Sequence, residues 1–380
     1  MDISKFRTPG QLIEALLIER GWSNRILGAV IDVEETGISK IIAAKKAVTP
    51  EIAILLEEVF SVAAETFLEL QRNLDLAKAR IISIPNPNRA KRAQLFSEVP
   101  VTEMIQRGWI DVEEMRDVDA VDVALNKFFE GHNPTEIASM PHAAKKTSAG
   151  EEATAAQLAW LYRVRQIAKE LLAPRYSEAA TRAALSKLKA LLSAPEEARH
   201  VPRILQECGI RLVVVEGLKA SKIDGVCLWL DKHSPVIGLT LRFDRMDNFW
   251  FVLRHELEHV LQGHGMIEPS LDVDLNGAVV DDVEKLANAA ASEFCAPEAR
   301  IDSFIKRKAP IFPTRDFLGL ANVLGVHPAL VAGQIQFKTG RYDLFRPYLV
   351  KIRDRVLPSA VVDGWGDVAP IGIVKGSNRE

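Results

Sequence analysis

Cysteine is scarce: the chain of 380 residues has three, Cys208, Cys227 and Cys295, with no C-x-x-C spacing among them. That excludes a disulfide framework and a cysteine-built metal site, and it fits a reducing compartment, so the chain is expected to be cytoplasmic. No run approaches the ~18 apolar residues that a membrane span requires, and the N-terminus carries no apolar core of a signal peptide, so no membrane partner is expected. Neither sign of charge dominates: 48 Lys and Arg stand against 51 Asp and Glu, for a formal net charge of -3. A global basic field is therefore absent, and any contact with nucleic acid has to come from a local patch. Short-period repeats and low-complexity tracts are also missing. What remains is ordinary globular composition, 48% hydrophobic and 26% charged, at a length that suggests two or three domains with a sizeable core.

Against this plain background one segment carries chemistry. His255-Glu-Leu-Glu-His259 matches H-E-x-x-H, a pattern expected by chance in about one such chain in a hundred. Apolar Phe249, Val252, Leu253, Leu257, Val260 and Leu261 recur around it at helical spacing, with Asp247 or Asn248 expected as the N-cap. Four residues apart on a helix, the rings of His255 and His259 share a face and can point at one metal ion. Glu256 is turned roughly 100° away, too far to crowd the ion but able to reach a water there, which is the position of a general base. The spacing predicts a zinc-dependent hydrolase.

A third ligand is less legible. The metzincin extension fails, because Gln262 and Gly265 stand where glycine and histidine are required. On a continuing helix His264, five residues after His259, points away from both rings. Downstream, the Ala-rich stretch from Asp281 to Pro297 predicts a second helix on which Glu284 and Asn288 are one turn apart. Glu284 can complete a His-His-Glu set while Asn288 orients a ligand imidazole. By spacing alone Glu284 is as easily a solvated surface carboxylate, and Asp281, Asp282, Glu293 and Glu298 compete for the role.

Residues 9–80 read as four or five short helices. Pro9 opens the first, which ends at Gly21; Ser23 caps a second with Ile26, Leu27 and Val30 inward; a third runs through Ile38, Ile41 and Ile42; Thr49-Pro50-Glu51 starts a fourth. Two short helices joined by a tight turn suggest helix-turn-helix. The Pro/Asn-rich segment 84–89 marks a boundary, residues 91–206 remain helical with a polar, exposed stretch at 145–152, and the segment after 344 shows no readable chemistry. Three apolar runs, 210–215, 225–230 and 235–241, read as strands just before the H-E-x-x-H helix. The run 225–230 is expected at the sheet edge, where an extended peptide can add beside the metal.

Taken together, Asp247-Asn-Phe-Trp-Phe251, His255-Glu-x-x-His259 and Glu284-x-x-Ala-Asn288, ending at Pro297, resemble the ImmA/IrrE family of metallopeptidases. That resemblance implies a zincin-like fold of the gluzincin kind over about 151–345, one zinc per chain held by His255, His259 and Glu284, Glu256 as catalytic base, and proteolysis of a repressor or partner regulatory protein. The stretch from Pro9-Gly10 through Trp22-Ser23, Ser39 and Thr49-Pro50 to Asp75-Leu76 resembles HigA-like antitoxins of the Cro/C1 helix-turn-helix class, which implies operator DNA or a toxin as partner. Arg25, Ser39, Lys40, Lys45 and Lys46 are then the residues expected to touch DNA. The start of the recognition helix, Val33-Glu-Glu-Thr-Gly37, sets two carboxylates toward a polyanion and offers no readout at Gly37. A module that binds protein or dimerises fits that acidity too.

The expected architecture is α+β and mostly helical: a helix-turn-helix bundle at 1–80, a helical linker at 81–150, a zincin-like domain at 151–345 with a small sheet packed on the H-E-x-x-H helix, and an extension at 346–380. A homodimer is expected if the module reads a palindrome. The competing expectation is an antitoxin or transcriptional regulator that acts by binding, with the metal site a sensor or relic.

Overall fold

The computed structural model describes residues 5–83, 86, 88–131, 145–146, 153–266, 269–273 and 282–369. The fold is α+β and mostly helical, and the chain divides into two compact units, Met1–Pro87 and Asn88–Glu380. Among the described residues no single helix is long and apolar enough to cross a membrane.

The first unit is five helices: α1 (Pro9–Arg20), α2 (Asn24–Val30), α3 (Glu35–Ile42), α4 (Pro50–Phe60) and α5 (Ala64–Ile82). Thr8, Ser23 and Thr49 cap α1, α2 and α4 by accepting from Gln11, Ile26 and Ile52 backbone N–H groups, each cap contributing about 1 kcal/mol. The core gathers Leu12, Leu16, Leu27, Ile38, Ile41, Leu56 and Phe67. On α2 only Leu27 of the three expected apolar positions is inward, since Ile26 and Val30 are exposed; a helix of two turns has one core-facing stripe, too narrow for all three.

In the second unit α6 (Asn88–Glu98), α7 (Val101–Gln106) and α8 (Val118–Phe128) precede α9 (Ala155–Glu170), α10 (Glu178–Ala190) and α11 (Val201–Glu207). The sheet comprises β1 (Lys145–Lys146), β2 (Arg211–Val215), β3 (Ile223–Trp229), β4 (Pro235–Leu239), β5 (Ser270–Val273) and β6 (Val361–Asp363), in the order β1-β5-β3-β4-β2-β6. After β4 comes α12 (Met246–Gln262), then α13 (Asp282–Cys295), α14 (Glu298–Lys308), α15 (Thr314–Leu324) and α16 (Pro328–Thr339). Every residue of β3 and β4 is buried, because helices cover both faces of the sheet. Strand alternation sends Cys227, Trp229, Ile237 and Leu239 into one core with Phe249, Trp250, Leu253 and Leu257 of α12, and Val226, Leu228 and Val236 into another with Leu158, Trp160 and Val164 of α9.

Three sequence expectations change here. The run 225–230 is not an edge: β3 pairs antiparallel with β4 on one side and β5 on the other. The short strand β5 lies beyond the helix and shows no alternation long enough to read. Residues 88–131 of the stretch taken as a linker pack into the second unit, with Val101, Met104, Trp109, Val121, Leu125 and Phe128 in the core under α9. The stretch taken as an extension supplies β6, paired in parallel with β2. There Asp363 accepts from Trp109 Nε1 at 2.8 Å and from Arg163 Nε at 2.8 Å, forming a buried ion pair. Of the polar stretch 145–152, all but Lys145 and Lys146 lies outside the described residues.

Candidate metal centre

Helix α12 begins at Met246, two or three residues earlier than a cap at Asp247 or Asn248 requires; Asp247 is instead inside the first turn, held by Arg245 at 3.0 Å. The sheet-facing stripe of α12 pins it so firmly that His255, Glu256 and His259 are all 0% exposed. Helix α13 runs back along it. Glu284 lies against His255 and His259, Asn288 against His255 one turn later, and Ser292 and Cys295 share a cleft with Asn248 and Phe251. The pairing is therefore antiparallel.

At the convergence His255 Nε2 is 3.0 Å from His259 Nε2, and Glu284 places its two oxygens 3.2 Å from the first and 3.3 Å from the second. Each outer nitrogen has its own partner. His255 Nδ1 is 3.0 Å from Asn288 Oδ1, and an amide oxygen only accepts, so Nδ1 carries the proton and Nε2 of the neutral ring offers a lone pair inward. His259 Nδ1 is 3.1 Å from His264 Nδ1; with His259 donating, the Nε2 lone pair also turns to the centre. Two lone pairs and a carboxylate pointed at one spot form a group that could hold a cation.

The spacing can be tested against an ion. A tetrahedral zinc with bonds of about 2.0–2.1 Å sets its donors about 3.3 Å apart. The three donor separations here are 3.0, 3.2 and 3.3 Å, and the group is buried throughout. Glu256 adds a second buried carboxylate, so two acids and two imidazoles call for a dication to balance them. Arg254, next to His255, does not serve: it pairs with Glu258 at 2.6 Å. Burial pushes the Glu258 carboxyl up, but hydrogen bonds from Gln262 and Arg254 outweigh that and hold it below its ordinary value.

Glu256 is seated against the sheet. A Cβ built on Gly225 of β3 would fall 2.1 Å from Glu256 Oε1, so the carboxylate occupies the space that any other residue at 225 would fill. The turn after α12 is equally constrained. Gly263 takes the left-handed conformation at φ 71 and ends the helix, which swings the His264 ring back to His259 where a continuing helix sends it away. Trp229 Nε1 then donates to the His264 carbonyl at 2.8 Å, tying the turn to β3.

Glu284 and Asn288 are thus in their expected places. Asp282 is solvent-exposed and pairs with Lys285, Glu293 accepts from the Glu298 backbone, and Glu298 pairs with Lys338, which removes them as ligands; Asp281 lies outside the described residues. His327 caps α16, its ring accepting from the Ala329 backbone N–H. Arg25, Ser39, Lys40, Lys45 and Lys46 belong to the first unit, all exposed on or just after α2 and α3, with Ser39 Oγ accepting from Asn24 at 3.2 Å. The orienting role of His264 is what sequence reasoning missed, and Gly263 was the signal that marked it. In comparison with known proteins, no family model and no curated protein matches the chain.

Proposed function

We propose that the second unit is a zinc-dependent endopeptidase of the zincin kind and that the first is a recognition module directing it to a repressor or other regulatory protein. The observation that carries this reading is the donor spacing of His255, His259 and Glu284, matched to a zinc-sized ion, with a buried carboxylate beside it. Zinc in that site supplies Lewis-acid polarisation of a carbonyl and raises the acidity of water toward a pKa of ~7. The chain's own residues do the rest. His255 and His259 present Nε2 because Asn288 and His264 fix the opposite nitrogens. Glu256 takes the proton from the attacking water on its carboxylate and returns it to the leaving amine. Burial keeps bulk solvent away from this exchange. The order of motifs, which resembles ImmA/IrrE metallopeptidases, supports the same reading.

The test is Glu256→Gln in the full chain. Zinc should remain at one per chain by elemental analysis, because no ligand is changed, while cleavage of proteins encoded beside this gene stops. Cleavage that survives the substitution overturns the mechanism. If regulation in cells is untouched by it, the competing reading holds, in which the protein acts by binding. For the first unit, the exposed Glu34 and Glu35 at the start of α3 favour a second reading, contact with protein in place of operator DNA. A salt titration separates the two: binding through Arg25, Lys40, Lys45 and Lys46 should weaken steeply with salt, and no salt-dependent affinity leaves the protein partner.

A further inference from the structure

One turn before His255 on the same face, Phe251 stacks on the imidazole with ring centroids 6.3 Å apart. The same Phe251 lines a cleft of about 320 Å³. Its wall includes Phe243, Phe251, Leu330, Phe337 and Tyr342, and Ser292 faces it from α13. Phe337 and Tyr342 are each 55% exposed and Phe243 is 43% exposed, a concentration of aromatic surface in water that marks a binding site more often than an accident of packing. The rim is polar but electrically spent. Arg245 is held by Asp247 and Gln336, and Lys338 by Glu298 and Asp302. Among the described residues of the lining an acidic ligand finds no free cation, and an apolar one finds its surface.

We infer that this cleft receives an aromatic or large aliphatic side chain of the peptide substrate, two or three residues from the bond that is cut. This rests on the peptidase reading of the metal centre and gives it a specificity. The register follows from dimensions. Phe251 is four residues and Asn248 seven residues from His255 along α12, or about 6 and 10 Å at 1.5 Å per residue. An extended peptide covers about 3.3 Å per residue, so a backbone running parallel to α12 with its scissile bond at the donors brings its second or third side chain over the cleft. Burying one such side chain is worth roughly tenfold or more in selectivity.

The experiment digests a pool of proteome-derived peptides with the zinc-loaded full chain and reads the cut sites by mass spectrometry. Phe, Tyr, Trp, Leu or Met should be enriched about tenfold at one fixed position two or three residues from the cut. Combined Phe337→Ala and Tyr342→Ala, and separately Ser292→Trp, should flatten that enrichment with zinc content unchanged. Cleavage without enrichment, or enrichment indifferent to both variants, overturns the inference and leaves the peptidase reading standing. If no peptide is cut, the peptidase reading fails and binding decides: the fluorine resonance of N-acetyl-4-fluorophenylalanine amide at millimolar concentration should broaden with the parent chain and sharpen again with either variant. Absence of that broadening removes the cleft as a side-chain site.

Discussion

Gly225→Ala is the most informative single perturbation, because it touches the base without touching a ligand. The new methyl group would lie 2.1 Å from Glu256 Oε1 and 2.9 Å from its carboxyl carbon, where ordinary contact begins at 3.4 Å. Strand β3 cannot yield, since β4 and β5 hold it on both sides. The carboxylate therefore retreats by about 1 Å or more to reach normal contact. A displacement of that size in a reacting group costs about 100-fold in rate. The fold suffers less, as only the end of one side chain moves: about 1 kcal/mol, the low end for overpacking, or about 2–4 °C in Tm. Peptide-pool cleavage, zinc stoichiometry and thermal unfolding should be measured together, with Gly319→Ala as the control, because a Cβ at Gly319 meets nothing within 4 Å. Retention of half or more of the parent activity would refute the reasoning, and loss of zinc would show that the substitution disturbs the ligands instead.

Other outcomes follow from the same geometry. His264→Ala should weaken zinc binding about 10–100-fold in a chelator competition, and His264→Gln, which keeps an acceptor for His259 Nδ1, should restore part of it; equal affinities in all three chains would deny His264 its orienting role. Asp363→Asn removes the charge that Arg163 is buried against, and denaturant unfolding should register a loss of about 3–5 kcal/mol. Arg163→Met combined with Asp363→Leu should recover only part of that, since the apolar pair strands no charge but leaves the Trp109 indole N–H without its acceptor.

The core of the site was legible because helical periodicity is written into sequence. Four residues separate His255 from His259, and that alone puts them on one face. Glu284 is different: it stands on another helix, and no period connects two helices, so spacing left it level with Asp282 and Glu298 until the order of motifs favoured it. His264 was misplaced by extending the helix past Gly263, although a glycine at that point is a stop signal. Strand β6 and Asp363 were invisible for a simpler reason. Three residues show no alternation, and a carboxylate whose partners are Trp109 and Arg163 depends on contacts across more than half the chain.

The antiparallel pairing of α12 and α13 has a mechanical side. His255 and His259 come from one rod and Glu284 from the other, so an ion held among them would act as a rivet, offsetting the cost of burying the Glu284 carboxylate. On the proposed zinc reading, metal supply would then set how tightly the Asp282–Cys295 rod is fastened, and a chelator should reveal itself first as protease nicks along that rod, well before the sheet comes apart.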